Sequence, residues 1–199
     1  RFASTSSLEA RLLEPDEETM GIEYVQFYLQ DPMLLRCTNR RKFDLRVYAL
    51  VTSWNPPTFW LHQDGFARIS TATYVSPSGE PDDDLTPHIT NVHYQRDKPG
   101  YALPADAEDD CSKDTRSLRC MLEAIEEERD VPVWNTTKRL RRAVGNSLLA
   151  AKNPLNSPEC TGCYQIFGFD VLVRDDGSTY VVEMNSSPSI ETNNPVADG

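Results

Sequence analysis

An α+β fold, a largely antiparallel sheet with flanking helices, is what the order of periodicities along this chain predicts. Residues 42–53, KFDLRVYALVTS, alternate apolar and polar side chains as a half-buried strand does. Residues 167–185, FGFDVLVRDDGSTYVVEMN, read as a strand pair around Asp176-Gly177, a dipeptide favoured in two-residue hairpin loops. Between these blocks the period becomes helical: Leu118, Met121, Leu122 and Ile125 share one face, as do Leu140, Val144, Leu148 and Ala151.

Taken in order, the first element is a short β-type run from Tyr24 to Leu29, stopped by Asp31-Pro32. In the strand 42–53, Phe43, Leu45, Val47, Ala49 and Val51 form one face. Lys42, Asp44, Arg46 and Tyr48 form the other, so three charged side chains line one strand. Trp54-Asn55-Pro56-Pro57 breaks it, Phe59–Leu61 forms a second strand, Asp64-Gly65 signals another turn, and Phe66–Ser70 a further short strand. Ser76–Asp84 reads as a surface loop, and residues 95–114, with acidic Asp106–Asp110, as a flexible acidic loop. The two helices follow, and Pro154 and Pro158 are expected to end the second.

The hairpin carries the chemistry. Counting outward from Asp176-Gly177 pairs Arg174 with Thr179, Leu172 with Val181, Asp170 with Glu183 and Gly168 with Asn185. One face then holds Phe167, Phe169, Val171 and Val173 against Tyr180, Val182 and Met184, which is core material. The other sets Asp170 and Glu183 opposite each other, with Cβ atoms roughly 5 Å apart, and Asn185 beside them. Facing carboxylates repel, so they sit in bulk water as a solvated polar face or a cation holds them. Mg²⁺, which takes carboxylate and carbonyl oxygens and shares them with substrate phosphates, fits two carboxylates and an amide oxygen.

A chain of 199 residues suits one domain or part of one, and its opening on Arg1 suggests a piece of a longer protein. Its net charge of −11 argues against general nucleic-acid or anionic-membrane binding, although basic residues cluster at Arg36–Arg46 and Lys138–Arg142 and leave room for local anion sites. No run approaches the roughly 20 apolar residues that span a bilayer. Five irregularly spaced cysteines argue for free thiols in a reducing compartment; Cys160-Thr-Gly-Cys163 has the spacing of half a zinc site with no second half.

Four blocks together resemble the tubulin tyrosine ligase-like family of ATP-dependent amino-acid ligases: YVQFYLQDPMLL at 24–35, KFDLRVYALVTS at 42–53, HITN at 88–91, and FGFDVLV with VVEMNSSPS across 167–189. They occur in the family's order and nearly span the chain. The resemblance implies the ATP-grasp fold, with residues 1–199 as the C-terminal portion of its ligase domain. It also implies ATP and Mg²⁺, tubulin, microtubules or another acidic protein as acceptor, a free amino acid, most often glutamate, as donor, and a cytoplasmic, cytoskeletal location. By position, Gln26, Phe27, Tyr28 and Leu29 resemble the segment that touches adenine and Lys42 a nucleotide-contacting lysine, with Asp44 beside it. Asp170, Glu183 and Asn185 resemble the Mg²⁺ ligands, and Arg46 and Arg68 the basic residues that meet carboxylate or the transferred phosphoryl group. His88, Thr90 and Asn91 of the HITN block fall in the cofactor-binding set, with a purely structural histidine as the alternative. Two rival readings stay open: a non-catalytic ligase-like protein that binds microtubules or partners, and an ATP-grasp ligase of small molecules.

Overall fold

The computed structural model describes residues 27–77, 84–103, 111–155 and 162–189. Its elements run β1 (Arg41–Trp54), β2 (Pro57–Thr73), α1 (Val92–Gln95), β3 (Thr115–Ser117), α2 (Leu118–Arg129), α3 (Val133–Leu155), β4 (Gln165–Val173) and β5 (Thr179–Asn185). Among the described residues the strands form one five-stranded sheet, ordered β3-β2-β1-β4-β5, with every pairing antiparallel. This is the α+β arrangement that the alternation of 42–53 and the later helical spacing foretell.

Alternation sorts the sheet into two chemically opposite faces. Phe43, Leu45, Val47, Ala49 and Val51 of β1 join Phe167, Phe169, Val171 and Val173 of β4 in one core, closed by Leu118, Met121, Leu122 and Ile125 of α2 and Leu140, Val144 and Leu148 of α3. Each large apolar side chain removed from water this way contributes about 1.5–3 kcal/mol, which fixes both helices to this face. At the start of α2 the Ser117 side chain accepts the Cys120 N–H at 3.1 Å, and Asp130 closes its end in a left-handed conformation with φ 53°.

Several details differ from the sequence reading. Asp64-Gly65 makes no turn: β2 runs unbroken from Pro57 to Thr73 and absorbs two extra residues between its pairs Gly65–Val47 and Leu61–Ala49. Gly65 marks a close approach, because a Cβ there would collide with the Arg46 carbonyl oxygen. Phe27–Leu29 is not a strand; beyond it the chain runs past the end of β4, where Pro32 bridges Arg174 and Met33 N donates to Val173 O at 2.7 Å. α3 runs through Pro154 and ends at Leu155, between the two prolines expected to end it. Cys111 and Cys120 form a disulfide and Cys163 is disulfide-bonded as well, so these are not the free thiols expected; Cys37 is free. Tyr24–Gln26, Asp106–Asp110, Pro158 and Cys160 lie outside the described residues.

The β4–β5 hairpin corrects the counting in an instructive way. Its loop has three residues, Asp175-Asp176-Gly177, not two: Gly177 N donates to Arg174 O at 2.8 Å, Arg174 N to Ser178 O at 2.9 Å, and Gly177 has φ 76°. Near the turn every pair is therefore displaced by one, Val173 facing Thr179 and Leu172 facing Tyr180. A bulge at Val182 absorbs one residue and restores Asp170–Glu183 and Gly168–Asn185 as counted. The displaced half exchanges faces: Val181 packs on the core, while Tyr180 and Val182, expected inside, are 45% and 38% exposed.

Gly65→Ala places a methyl group against rigid backbone and is expected to destabilise the fold by about 1–3 kcal/mol, read as a lower urea midpoint. An unchanged midpoint would show that β1 and β2 separate freely there.

Candidate functional site

The face turned away from the helices gathers charge. Residues two apart on β1 share it, and antiparallel pairing brings Asp44 opposite Arg68 of β2 and Arg46 opposite Asp170 of β4. Arg68 Nε donates to Asp44 Oδ1 at 2.8 Å, and its Nη2 reaches both Asp44 Oδ2 and, at 2.8 Å, Asp170 Oδ2. Arg46 donates through Nε to Asp170 Oδ1 at 2.5 Å and through Nη2 to Oδ2 at 3.2 Å. The Thr90 hydroxyl donates to Asp44 Oδ2 at 2.9 Å. Arginine and aspartate thus alternate across three strands.

Asp44, Arg68 and Asp170 are 4%, 6% and 5% exposed, so each charge needs its partners to offset lost hydration. Burial pushes the Asp170 pKa up, but Arg46 and Arg68 outweigh it and hold the carboxyl below its ordinary value. Burial likewise opposes the charge on Arg68, and Asp44 and Asp170 overcome it. The cation facing Asp170 in this structure is a pair of guanidinium groups from β1 and β2, which counting within one hairpin had no means to see. Glu183 stands opposite Asp170 but is exposed, and Asn185 is half-buried.

This face lines a cavity of about 580 Å³ with a second pole around Lys42. Lys42 Nζ donates to His88 O at 2.9 Å and to the Tyr28 hydroxyl at 3.2 Å, and lies 4.6 Å from the Tyr28 ring centroid. The Tyr28 hydroxyl is 2.9 Å from His88 Nδ1. Burial pulls the Lys42 pKa down to about 8 against the opposing charge of Asp44. The loop carrying His88, Thr90 and Asn91 is clamped by Gln95, fully buried, whose Oε1 accepts from Thr71 N at 3.0 Å and Thr71 Oγ1 at 2.7 Å while its Nε2 donates to the carbonyls of Thr86 and Ile89. Asn91 spends its side-chain oxygen on capping α1, accepting His93 N at 2.8 Å.

Of the residues singled out from the sequence, Phe27, Tyr28, Leu29, Lys42, Asp44, Arg68, His88, Thr90, Asn91, Asp170 and Glu183 line this one cavity. Arg46 and Asn185 do not; Arg46 joins it through Asp170, and Gln26 lies outside the described residues. Gln95, Leu172, Tyr180 and Val182 were missed. A lone glutamine carries no signal, and the other three depend on the hairpin bulge or on depth within the sheet. Asn185 is placed by the close approach of Gly168 to Pro188, where a Cβ would come within 2.8 Å. Among the described residues no three His, Cys, Asp or Glu side chains converge; Glu183 faces Asp170 across the hairpin, Asn185 follows two residues on, and both Asp170 oxygens are held by Arg46 and Arg68. Two carboxylates and an amide are donor types that Mg²⁺ takes, and a cation there requires Arg46 or Arg68 to release an Asp170 oxygen.

The model of the tubulin-tyrosine ligase family matches residues 18–198. The chain belongs to that family. It is 31% identical over 182 residues to a tubulin polyglutamylase of Caenorhabditis elegans, ttll-11, covering 84% of this chain and 24% of that protein. It is 35% identical over 175 residues to the protein polyglycylase TTLL10 of Macaca fascicularis, covering 85% and 26%. A mouse protein named "Probable tubulin polyglutamylase TTLL9" is 30% identical over 193 residues, covering 94% and 38%. The chain therefore spans between about a quarter and two-fifths of these relatives, and its antiparallel sheet with flanking helices is the architecture of a partial ATP-grasp-like ligase domain.

Arg68→Met leaves Asp44 and Asp170 buried against each other, so stability is expected to fall by about 3–5 kcal/mol, whereas Arg46→Met, which leaves Asp170 its Arg68 contact, falls by less. Equal losses in denaturant titrations would remove Arg68 as the hub. For Lys42 the folded pKa of about 8 lies below the ordinary 10.5, so between these values the folded protein holds fewer protons than the unfolded chain. Stability is then gained as pH rises through that window, by at most about 1.4 kcal/mol per pH unit for one proton. The difference between wild type and Lys42→Met in urea titrations at pH 7 to 10 is expected to show this slope only above about pH 8; a flat difference contradicts it.

Proposed function

We propose that this chain forms part of an ATP-dependent ligase that joins an amino acid, glutamate first, to tubulin or a similarly acidic protein in the cytoplasm or on the cytoskeleton. The observation that carries the proposal is the cavity shared by Lys42, Asp44, Arg68, Asp170 and Glu183, with Arg46 bound to Asp170 from outside it, in a chain of the tubulin-tyrosine ligase family. Names of relatives on both sides, polyglutamylase and polyglycylase, keep glycine as the second candidate.

Such a reaction transfers the γ-phosphoryl group of ATP to an acceptor carboxylate, releasing ADP, and lets an amine attack the acyl phosphate and expel phosphate, so negative charge gathers first on the phosphoryl oxygens and then on the oxygen of a tetrahedral intermediate. Arg46 and Arg68 are fixed guanidinium groups beside the place where that charge develops, and their orientation is held by Asp44 and Asp170 before substrate arrives. Lys42, protonated at pH 7 and steadied by the His88 carbonyl, supplies a further cation at the other pole. The loop clamped by Gln95 closes that pole and keeps Thr90 on Asp44. Asp170, Glu183 and the Asn185 amide are the residues that would hold Mg²⁺. That ion supplies neutralisation of phosphate charge.

Glu183→Gln in the full-length protein tests the assignment. Transfer of labelled glutamate to tubulin is expected to fall about 100-fold or more while the melting temperature stays within a few degrees, because the amide keeps the volume and removes only the charge. Near-normal transfer with a raised melting temperature would mean that Glu183 is merely a solvated carboxylate relieved of repulsion.

A further inference from the structure

A second charged surface lies on the other side of the hairpin. In α3, Trp134, Lys138, Arg142 and Asn146 recur every four residues and are all exposed, with Trp134 66% exposed. Arg141 lies beside them on the same helix and is also exposed. A recess of about 320 Å³ separates this helix from the β4–β5 turn, with Arg139, Arg142 and Asn146 on one wall and Ser178 and Thr179 on the other. The recess is built. Arg139 Nη1 donates to Asp176 O at 3.3 Å, Thr179 Oγ1 donates to Arg139 O at 3.2 Å, and Gly177 makes room, since a Cβ there would meet the Arg139 guanidinium.

Elsewhere among the described residues the partly exposed arginines Arg174 and Arg129 are paired, with Asp31 and Asp175, and exposed Arg40 stands alone without a basic cluster around a recess. Among the described residues Lys138, Arg141 and Arg142 have no acid partner. In a chain of net charge −11 this is an uncommitted basic surface, and bulk repulsion of an acidic partner is screened beyond about 8 Å at physiological salt, so the local patch decides contact.

We propose that this surface of α3 docks an acidic polypeptide segment whose neighbouring residues reach over the free edge of β5 to the cavity. Among the described residues β5 is the last strand of the sheet, its Thr179 lines the recess, and its Tyr180–Glu183 lines the cavity, about 13 Å of extended chain from Thr179 to Glu183. Guanidinium forks at Arg139 and Arg142 and the Asn146 amide match carboxylate side chains presented singly, and Trp134 offers an apolar contact to their methylene stems. The Asp176 carboxylate on the recess wall is engaged with Ser178 N at 2.8 Å and Ser178 Oγ at 2.5 Å. Also 3.7 Å from Arg174, it leaves a negative charge on the recess wall, which disfavours a dense polyphosphate. This inference rests on the proposed acidic acceptor, but binding requires no turnover.

The test is fluorescence anisotropy of a labelled ten-glutamate peptide with the full-length protein. The double reversal Lys138→Glu with Arg142→Glu is expected to weaken binding at least tenfold, with an unchanged melting temperature because both side chains are exposed. Glu183→Gln is expected to change peptide binding less than twofold while transfer falls; near-normal transfer by that variant with retained peptide binding would overturn the function proposed above and leave this surface standing. Equal peptide binding by wild type and the double reversal would overturn the docking site. Competition by a ten-nucleotide oligothymidylate as effective as unlabelled peptide would overturn the acidic-peptide assignment in favour of a general polyanion surface.

Discussion

Arg68 is the interaction on which the rest of the polar face depends. Its guanidinium group reaches Asp44 on β1 and Asp170 on β4 from β2, so one buried cation ties three strands by side chains as well as backbone. Two buried carboxylates drawn together would otherwise repel in a medium that screens poorly. Arg46 completes the balance from the strand between, and the face carries two negative and two positive charges in a fixed order. Replacing them with apolar side chains of similar size is commonly neutral or stabilising in proteins. Their presence is therefore better explained by what they orient than by what they hold together.

That orientation is supported from outside the sheet. Gln95, with no exposed surface, spends both ends of its amide on backbone and a threonine hydroxyl, and so fixes the loop that brings Thr90 to Asp44 and the His88 carbonyl to Lys42. Lys42 gains a low pKa from the same enclosure that gives it its partners. Beyond Asp170, the close contact of Gly168 and Pro188 draws the segment after β5 back across the sheet and sets Asn185 beside Glu183. The loop held by Gln95 thus fixes one pole of the cavity, and the segment after β5 lies back against β4 beyond Asp170.

The β4–β5 hairpin joins the two sides. Its bulge at Val182 turns Tyr180 and Val182 toward the cavity and Val181 toward the core, and its three-residue turn meets Arg139 of α3. A change at the turn therefore bears on both the basic recess and the cavity wall. Among the described residues β5 is the edge strand of the sheet, which suits the polypeptide path proposed above.

The sequence by itself determined the sorting of residues between faces. A period of two in 42–53 and of 3.6 in the helices dictates which side chains leave water, and Phe43 to Val51, Leu118 to Ile125 and Leu140 to Leu148 are buried as that periodicity requires. It also determined the pairing of Asp170 with Glu183, although a turn taken as one residue too short was cancelled by an unseen bulge. Only the tertiary structure decided what stands opposite Asp170, because its partners Arg46 and Arg68 lie 124 and 102 residues earlier and meet it through strand order. The same holds for Gln95 and for Gly65, which reads as a turn in isolation and is a close backbone approach in the sheet. Periodicity is a local property that each residue carries with its neighbours, whereas electrostatic partnership depends on which strands become adjacent, and that is fixed only when the whole core closes.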